Sequence, residues 1–108
     1  MSSKDKENSP IGRRLKSART VKGISQKQLG ILAGIDEFSA SPRINQYERG
    51  KHVPDFATSK RLAKALSIPV TYLYADDDKL ANIILMYTNA KEDIQIYVEK
   101  TLHKSTST

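Results

Sequence analysis

Residues 25–51 read SQKQLGILAGIDEFSASPRINQYERGK, and the architecture turns on how this stretch divides into helices. Ser25 followed three residues later by Gln28 is a capping-box pattern, in which each side chain satisfies a free backbone N–H of the other residue. Leu29, Leu32 and Ala33 recur at helical spacing as an inner face, and Gly34 stops the run. Gly30 inside this helix costs about 1 kcal/mol relative to alanine, so close approach of a neighbouring helix is the expected compensation. Further on, Ser41-Pro42 has the form of an N-cap followed by proline in the first turn, where the missing N–H is not needed. Ile44 and Tyr47 then stand at i, i+3, and Gly50 closes a second short helix. The connection, IDEFSAS, is about four residues longer than the turn of about three residues usual in such a pair. With Gly34 and Ser41-Pro42 both intact, it is expected to form a small ordered bulge, with Asp36 as a local cap and Phe38 pinned into a hydrophobic surface.

The same signals continue on either side. Ser9-Pro10 repeats the cap-and-proline start, with Ile11, Leu15, Ala18 and Val21 at helical spacing and Gly23 as the stop. Pro54 and Asp55 open a helix whose Phe56, Ser59, Leu62, Ala63 and Leu66 lie along one stripe. SIPVTYLY adds a short helical turn with Leu73 inward. Two more helices are expected over Lys79–Tyr87 and Ala90–Leu102, the second capped by Asn89. Strand signals are nearly absent, so the fold class is all-α. Residues 1–8 and 104–108 are polar and terminal, and are expected to be disordered tails.

A chain of 108 residues supports one core of short helices and no second one. It has no cysteine, which removes disulfides and thiolate metal sites and fits a reducing compartment. The opening MSSKDKENSP is not a signal peptide, and the longest apolar run, IILMY, is too short to span a bilayer. The net charge of +6 points to an acidic partner. It is unevenly placed: residues 1–66 carry 14 Lys/Arg against 6 Asp/Glu, and residues 67–108 carry 4 against 6. Polyanion contact and some other role are thus separated along the chain.

Taken in order, these segments resemble the Cro/cI-type helix-turn-helix family of transcriptional regulators, also called XRE-like. SQKQL resembles the start of that family's second helix, INQYERGKHVPD the end of its third helix and the following loop, and LAKALSIPVTYLY its fourth and fifth helices. The resemblance covers about residues 10–74. It implies a five-helix lambda-repressor-like DNA-binding domain over residues 9–75, usually acting as a dimer on operator DNA, followed here by one or two C-terminal helices over residues 76–103. It also implies a bacterial or phage origin and a cytoplasmic, nucleoid-associated location.

A reading helix presents side chains near its N-terminal end to base edges in the major groove. With Ile44 and Tyr47 inward, Ser41, Arg43, Asn45 and Gln46 are left for the groove. Arginine matches guanine O6/N7, and Gln or Asn matches adenine N6/N7, because two hydrogen bonds fit one base edge. By resemblance, Ser41, Arg43 and Gln46 fall at base-reading positions, whereas the position of Asn45 often faces the backbone. Gln26 and Lys27, in the first turn of their helix, and Arg49 and Lys51, flanking Gly50, are candidates for phosphate contact. Arg13, Arg14 and Lys16 are longer-range candidates, better read as a solvated face for at least two of them. Resemblance further implies an ion pair between Arg19 and Glu48 that holds the reading helix on its scaffold.

Beyond residue 75, Ile83, Ile84, Met86 and Tyr87, with Ile94, Tyr97 and Val98 on the next helix, exceed what one face of a surface helix needs. A homodimer interface is the simplest use, and packing back onto the first helix is the alternative. Asp76-Asp77-Asp78 reads as helix capping, and His52 and His103 have no partner at metal spacing. No metal, cofactor or catalytic constellation is expected, so the chain does not read as an enzyme. The leading reading is a sequence-specific transcriptional regulator, a homodimeric repressor on a palindromic operator of double-stranded DNA. A DNA-binding antitoxin, a restriction-modification controller protein, and a protein-interaction adaptor on the same scaffold remain as alternatives, and another regulatory protein remains a candidate partner.

Overall fold

In a computed structural model, residues 9–107 are described and contain seven helices and no strand. They are α1 (Ile11–Lys22), α2 (Gln26–Leu32), α3 (Glu37–Glu48), α4 (Phe56–Leu66), α5 (Val70–Tyr74), α6 (Asp78–Asn89) and α7 (Glu92–Thr106). The all-α class holds; the tail expected over residues 1–8 lies outside the described residues.

One core joins the first five helices. Ile11 and Leu15 from α1, Leu29 from α2, Ile44 from α3, Leu62 from α4 and Leu73 from α5 are all fully buried. The capping box at Ser25 forms as expected, with the Gln28 N–H donating to Ser25 Oγ and the Ser25 N–H donating to Gln28 Oε1. Asp55 and Asp77 cap α4 and α6 by accepting from Thr58 N and Leu80 N. Three residues expected on inner faces are not there: Val21, Leu32 and Phe56 are exposed, each at the margin of its helix's apolar stripe. The Phe56 ring instead faces Tyr74 across 6.3 Å between centroids.

The connection between α2 and α3 corrects the sequence reading. The second helix starts at Glu37, not at Ser41-Pro42, because Asp36 takes the N-cap position and accepts from both Phe38 N (2.9 Å) and Ser39 N (3.0 Å). Gly34, at φ +92°, makes the bend, so the connecting turn stays short and the additional residues form one more turn of α3. Pro42 sits inside the helix, where it removes the bond to the Phe38 carbonyl. Phe38 is not pinned into any surface; it is 90% exposed. Asp36 is a cap, as expected, but of α3 itself.

The α6 helix packs through Ala81, which is buried, and through the half-buried Ile84 and Leu85. Asn89 is its last residue and caps nothing; α7 begins after Lys91 without a side-chain cap. Residues 104–106, expected in a tail, continue α7, and no α7 residue is buried. The two helices are tied at their junction by Tyr87 O–H donating to Glu99 and by Gln95 Nε2 donating to the Tyr87 carbonyl at 2.7 Å.

Candidate nucleic-acid interface

The α2–α3 pair is held from behind by a cluster of charge-assisted bonds. Arg19 Nε donates to Glu48 Oε2 at 2.5 Å and Arg19 Nη2 to Glu48 Oε1 at 3.0 Å, a two-pronged match between a planar guanidinium and a carboxylate. Arg19 Nη1 donates to the Ile24 carbonyl, which ties in the turn before α2. Gln26 Nε2 adds a 3.0 Å bond to Glu48 Oε1 and a 3.3 Å bond to Asn45 Oδ1. The Glu48 side chain is 3% exposed and that of Arg19 15%, so the pair is shielded from water. The hydrogen bond to Glu48 raises the Arg19 pKa further above the physiological range, opposed by partial burial. The end of α1 and the start of α2 thereby fix the angle of α3.

Opposite the buried Ala40, Ile44 and Tyr47, at about 100° per residue, α3 turns Phe38, Pro42, Gln46 and Arg49 outward. Asn45 lies half-buried beside them, shared with Gln26. Ser41, half-buried, and Arg43, exposed, flank this stripe on opposite sides. Arg43 and Gln46 border an open polar depression continued by His52, Asp55 and Thr58. Lys27 stands 3.8 Å from Glu37 across the α2–α3 junction. Lys51 is exposed just past the helix, next to Arg49. The outward stripe thus includes two residues that sequence reasoning left out, Phe38 and Pro42, because it started the helix at position 41. The paired acidic residues Asp36-Glu37 were the signal that locates the true start.

The arginines of α1 separate in role. Arg14 is buried and turned away from α3: Nε donates to the Ala75 carbonyl at 2.7 Å, Nη1 meets Asp78 at 2.9 Å, and the guanidinium lies over the Tyr72 ring. It joins α1 to the α5–α6 junction and is not a long-range contact. Arg13 likewise donates to the Asp76 carbonyl at 2.7 Å, and Lys16 remains exposed. Asp77 caps α6, and no group of three or more His, Cys, Asp or Glu among the described residues is arranged to hold a metal. None of the described helices is long and apolar enough to cross a membrane.

Residues 12–79 match the profile of a family described as a helix-turn-helix domain. The chain belongs to this helix-turn-helix family. The family is a non-enzymatic DNA-binding fold, which accords with the absence of a catalytic constellation in the sequence. The helix-turn-helix chain is similar to the crystal structure of the transcriptional regulator BswR, with 46% identity and a TM-score of 0.81 over 86% of this chain and 92% of that one. That similarity extends over more of the chain than the family match does. It is also similar to the restriction-modification controller protein C.AhdI from Aeromonas hydrophila, with 32% identity and a TM-score of 0.56 over 64% of this chain and 98% of that one. Among curated proteins, none matches significantly.

Proposed function

We propose that this helix-turn-helix protein is a sequence-specific transcriptional regulator that acts as a homodimer and represses by occupying a palindromic operator. The observation that carries the reading is the α2–α3 unit, locked by Arg19, Glu48 and Gln26, with Arg43, Gln46 and Arg49 exposed on or beside its free face. Arg43 and Gln46, with Ser41 at the flank, serve as base readers, and Asn45 assists by orienting Gln26. Lys27, Arg49 and Lys51 contact phosphates, with Gln26 in the same first turn of α2. The likeness to a transcriptional regulator at 46% identity supports a regulatory role.

Dimerisation is assigned to the C-terminal helices. Ile83, Met86, Ile94 and Tyr97 are exposed on α6 and α7, with Tyr87 and Val98 half-buried between them. Ile84 belongs instead to the side of α6 that packs on the core. Burying these apolar residues between two copies would present two reading helices to successive major grooves, about 34 Å apart. A second reading, a controller of a restriction-modification system, is favoured by the likeness to C.AhdI. Either role places the protein with DNA in the cytoplasm.

Selection of bound duplexes from a random pool at physiological salt tests the proposal. Enrichment of an inverted repeat with half-sites one helical turn apart is the expected result. Weak binding without an enriched sequence, lost steeply with added salt, would mean backbone contact alone and would sink it.

A further inference from the structure

We propose that Phe38 is itself a specificity-determining residue, whose ring contacts the 5-methyl group of a thymine in the major groove. This rests on the regulator reading above and names one base that the site takes. Phe38 is 90% exposed although its backbone is well held: Asp36 caps the turn at 2.9 and 3.0 Å, and Ala40 abuts α2 at Gly30. Its exposure is therefore a property of an ordered helix end. That end is the one that approaches base edges when a reading helix lies in the groove.

Phe38 also shares the outward stripe of α3. Residues 38, 42 and 49 follow the i, i+4, i+11 spacing that aligns side chains on one face, so the ring points the same way as Pro42 and Arg49. From position 38 to position 45 the helix advances about 10 Å, or about three base-pair steps. The carboxylates nearby are already engaged. Asp36 accepts two backbone N–H bonds, and Glu37 lies on the α2 side of the helix, beside Lys27.

The chemistry selects the base. A phenyl ring has no donor or acceptor, and in the major groove guanine, adenine and cytosine edges present only donors and acceptors. Thymine alone adds a methyl group, the apolar partner that such a ring can cover. Removing water from ring and methyl together favours thymine at that step over the other three bases.

The experiment uses the full chain and the duplex recovered by selection. Each thymine is replaced in turn by deoxyuridine, which deletes only the methyl group. The wild type is expected to lose about fourfold in affinity at one position per half-site, the worth of one buried methyl. Phe38→Ala should bind more weakly and show no further loss at that position, while Phe38→Leu should keep part of the sensitivity. Because Phe38 is exposed, both variants should match the wild type in thermal unfolding. If no thymine responds to methyl deletion in the wild type, or if Phe38→Ala responds as strongly, the inference fails and the regulator reading survives. If selection recovers no sequence at all, both fail together.

Discussion

A Cβ added to Gly30 would stand 2.6 Å from the Cβ of Ala40 and 2.9 Å from its Cα, so α2 and α3 meet there with nothing but backbone and one methyl group between them. This contact sits where the added turn of α3 joins the rest of the helix, and it sets the angle at which the turn projects. The atoms in the way are not the ends of flexible side chains, so they can yield only if the helices move apart.

Gly30→Ala should therefore destabilise the protein in spite of alanine's better helix propensity. The propensity gain of about 1 kcal/mol is outweighed by an overpacking cost of about 1–3 kcal/mol. Urea denaturation is expected to show a net loss of up to about 2 kcal/mol. Adding Ala40→Gly should recover part of that loss by reopening the contact. A Gly30→Ala variant more stable than the parent would mean that the helices separate freely.

Glu48→Ala removes the carboxylate that accepts from both Arg19 and Gln26, leaving a mostly buried guanidinium unpaired. The expected cost is about 2–4 kcal/mol in unfolding free energy. On the proposed reading, in which the carboxylate holds the helix rather than a base, operator affinity, corrected for the folded fraction, should fall much less. A large affinity loss with unchanged stability would reverse that assignment.

The two kinds of DNA contact should separate in binding titrations. Arg43→Ala should cost about 1–3 kcal/mol and relax preference at one base pair. Lys51→Ala should weaken binding to all sequences alike and lower the slope of log K against log salt by about 1. If both variants behaved in the same way, the division of roles along α3 and its following loop would be wrong.

Hydrogen bonds from the backbone and side chain of Ser39 hold the Asp36 carboxyl below the usual aspartate pKa, and those of Thr58 do the same for Asp55. A pKa depressed in the folded state adds stability that is fully present above the unfolded value and lost as pH falls through the folded one. The caps should therefore weaken as pH drops below about 4. Asp36→Asn and Asp55→Asn should each flatten the acid limb of a plot of melting temperature against pH, with neutral-pH stability little changed because Asn also caps. An unaltered acid limb in both variants would show that these caps do not govern it.

The parts of the fold that local chemistry determines were legible in the sequence. The Ser25–Gln28 capping box, the caps at Asp55 and Asp77, and the buried Leu15, Leu29, Ile44 and Leu73 all follow from spacing and from residue type. The start of α3 was not, because two signals compete. Ser41-Pro42 has the better local form, but Asp36 offers two backbone bonds and the Gly30–Ala40 contact accepts a full extra turn. An interior proline, ordinarily costing about 3 kcal/mol, is tolerated when the turns on both sides are fixed in this way. Arg14 was illegible for another reason: its partners Tyr72, Ala75 and Asp78 lie far along the chain, and only the packing of α1 on the α5–α6 junction brings them to it. The candidate site was legible in residue type and less so in direction, since the added turn brings Phe38 and Pro42 into the outward stripe.

The added turn also bears on how such a helix can change length. Each residue rotates the chain by about 100°, so four residues bring the helix start round to within about 40° of its former bearing. The short bend at Gly34 can then still reach it from α2. Two added residues would carry the start to nearly the opposite side, where the bend could not join it without swinging Ala40 away from Gly30. Growth at this end is accordingly quantised: whole turns leave the phase of the reading face intact, and fractional ones scramble it.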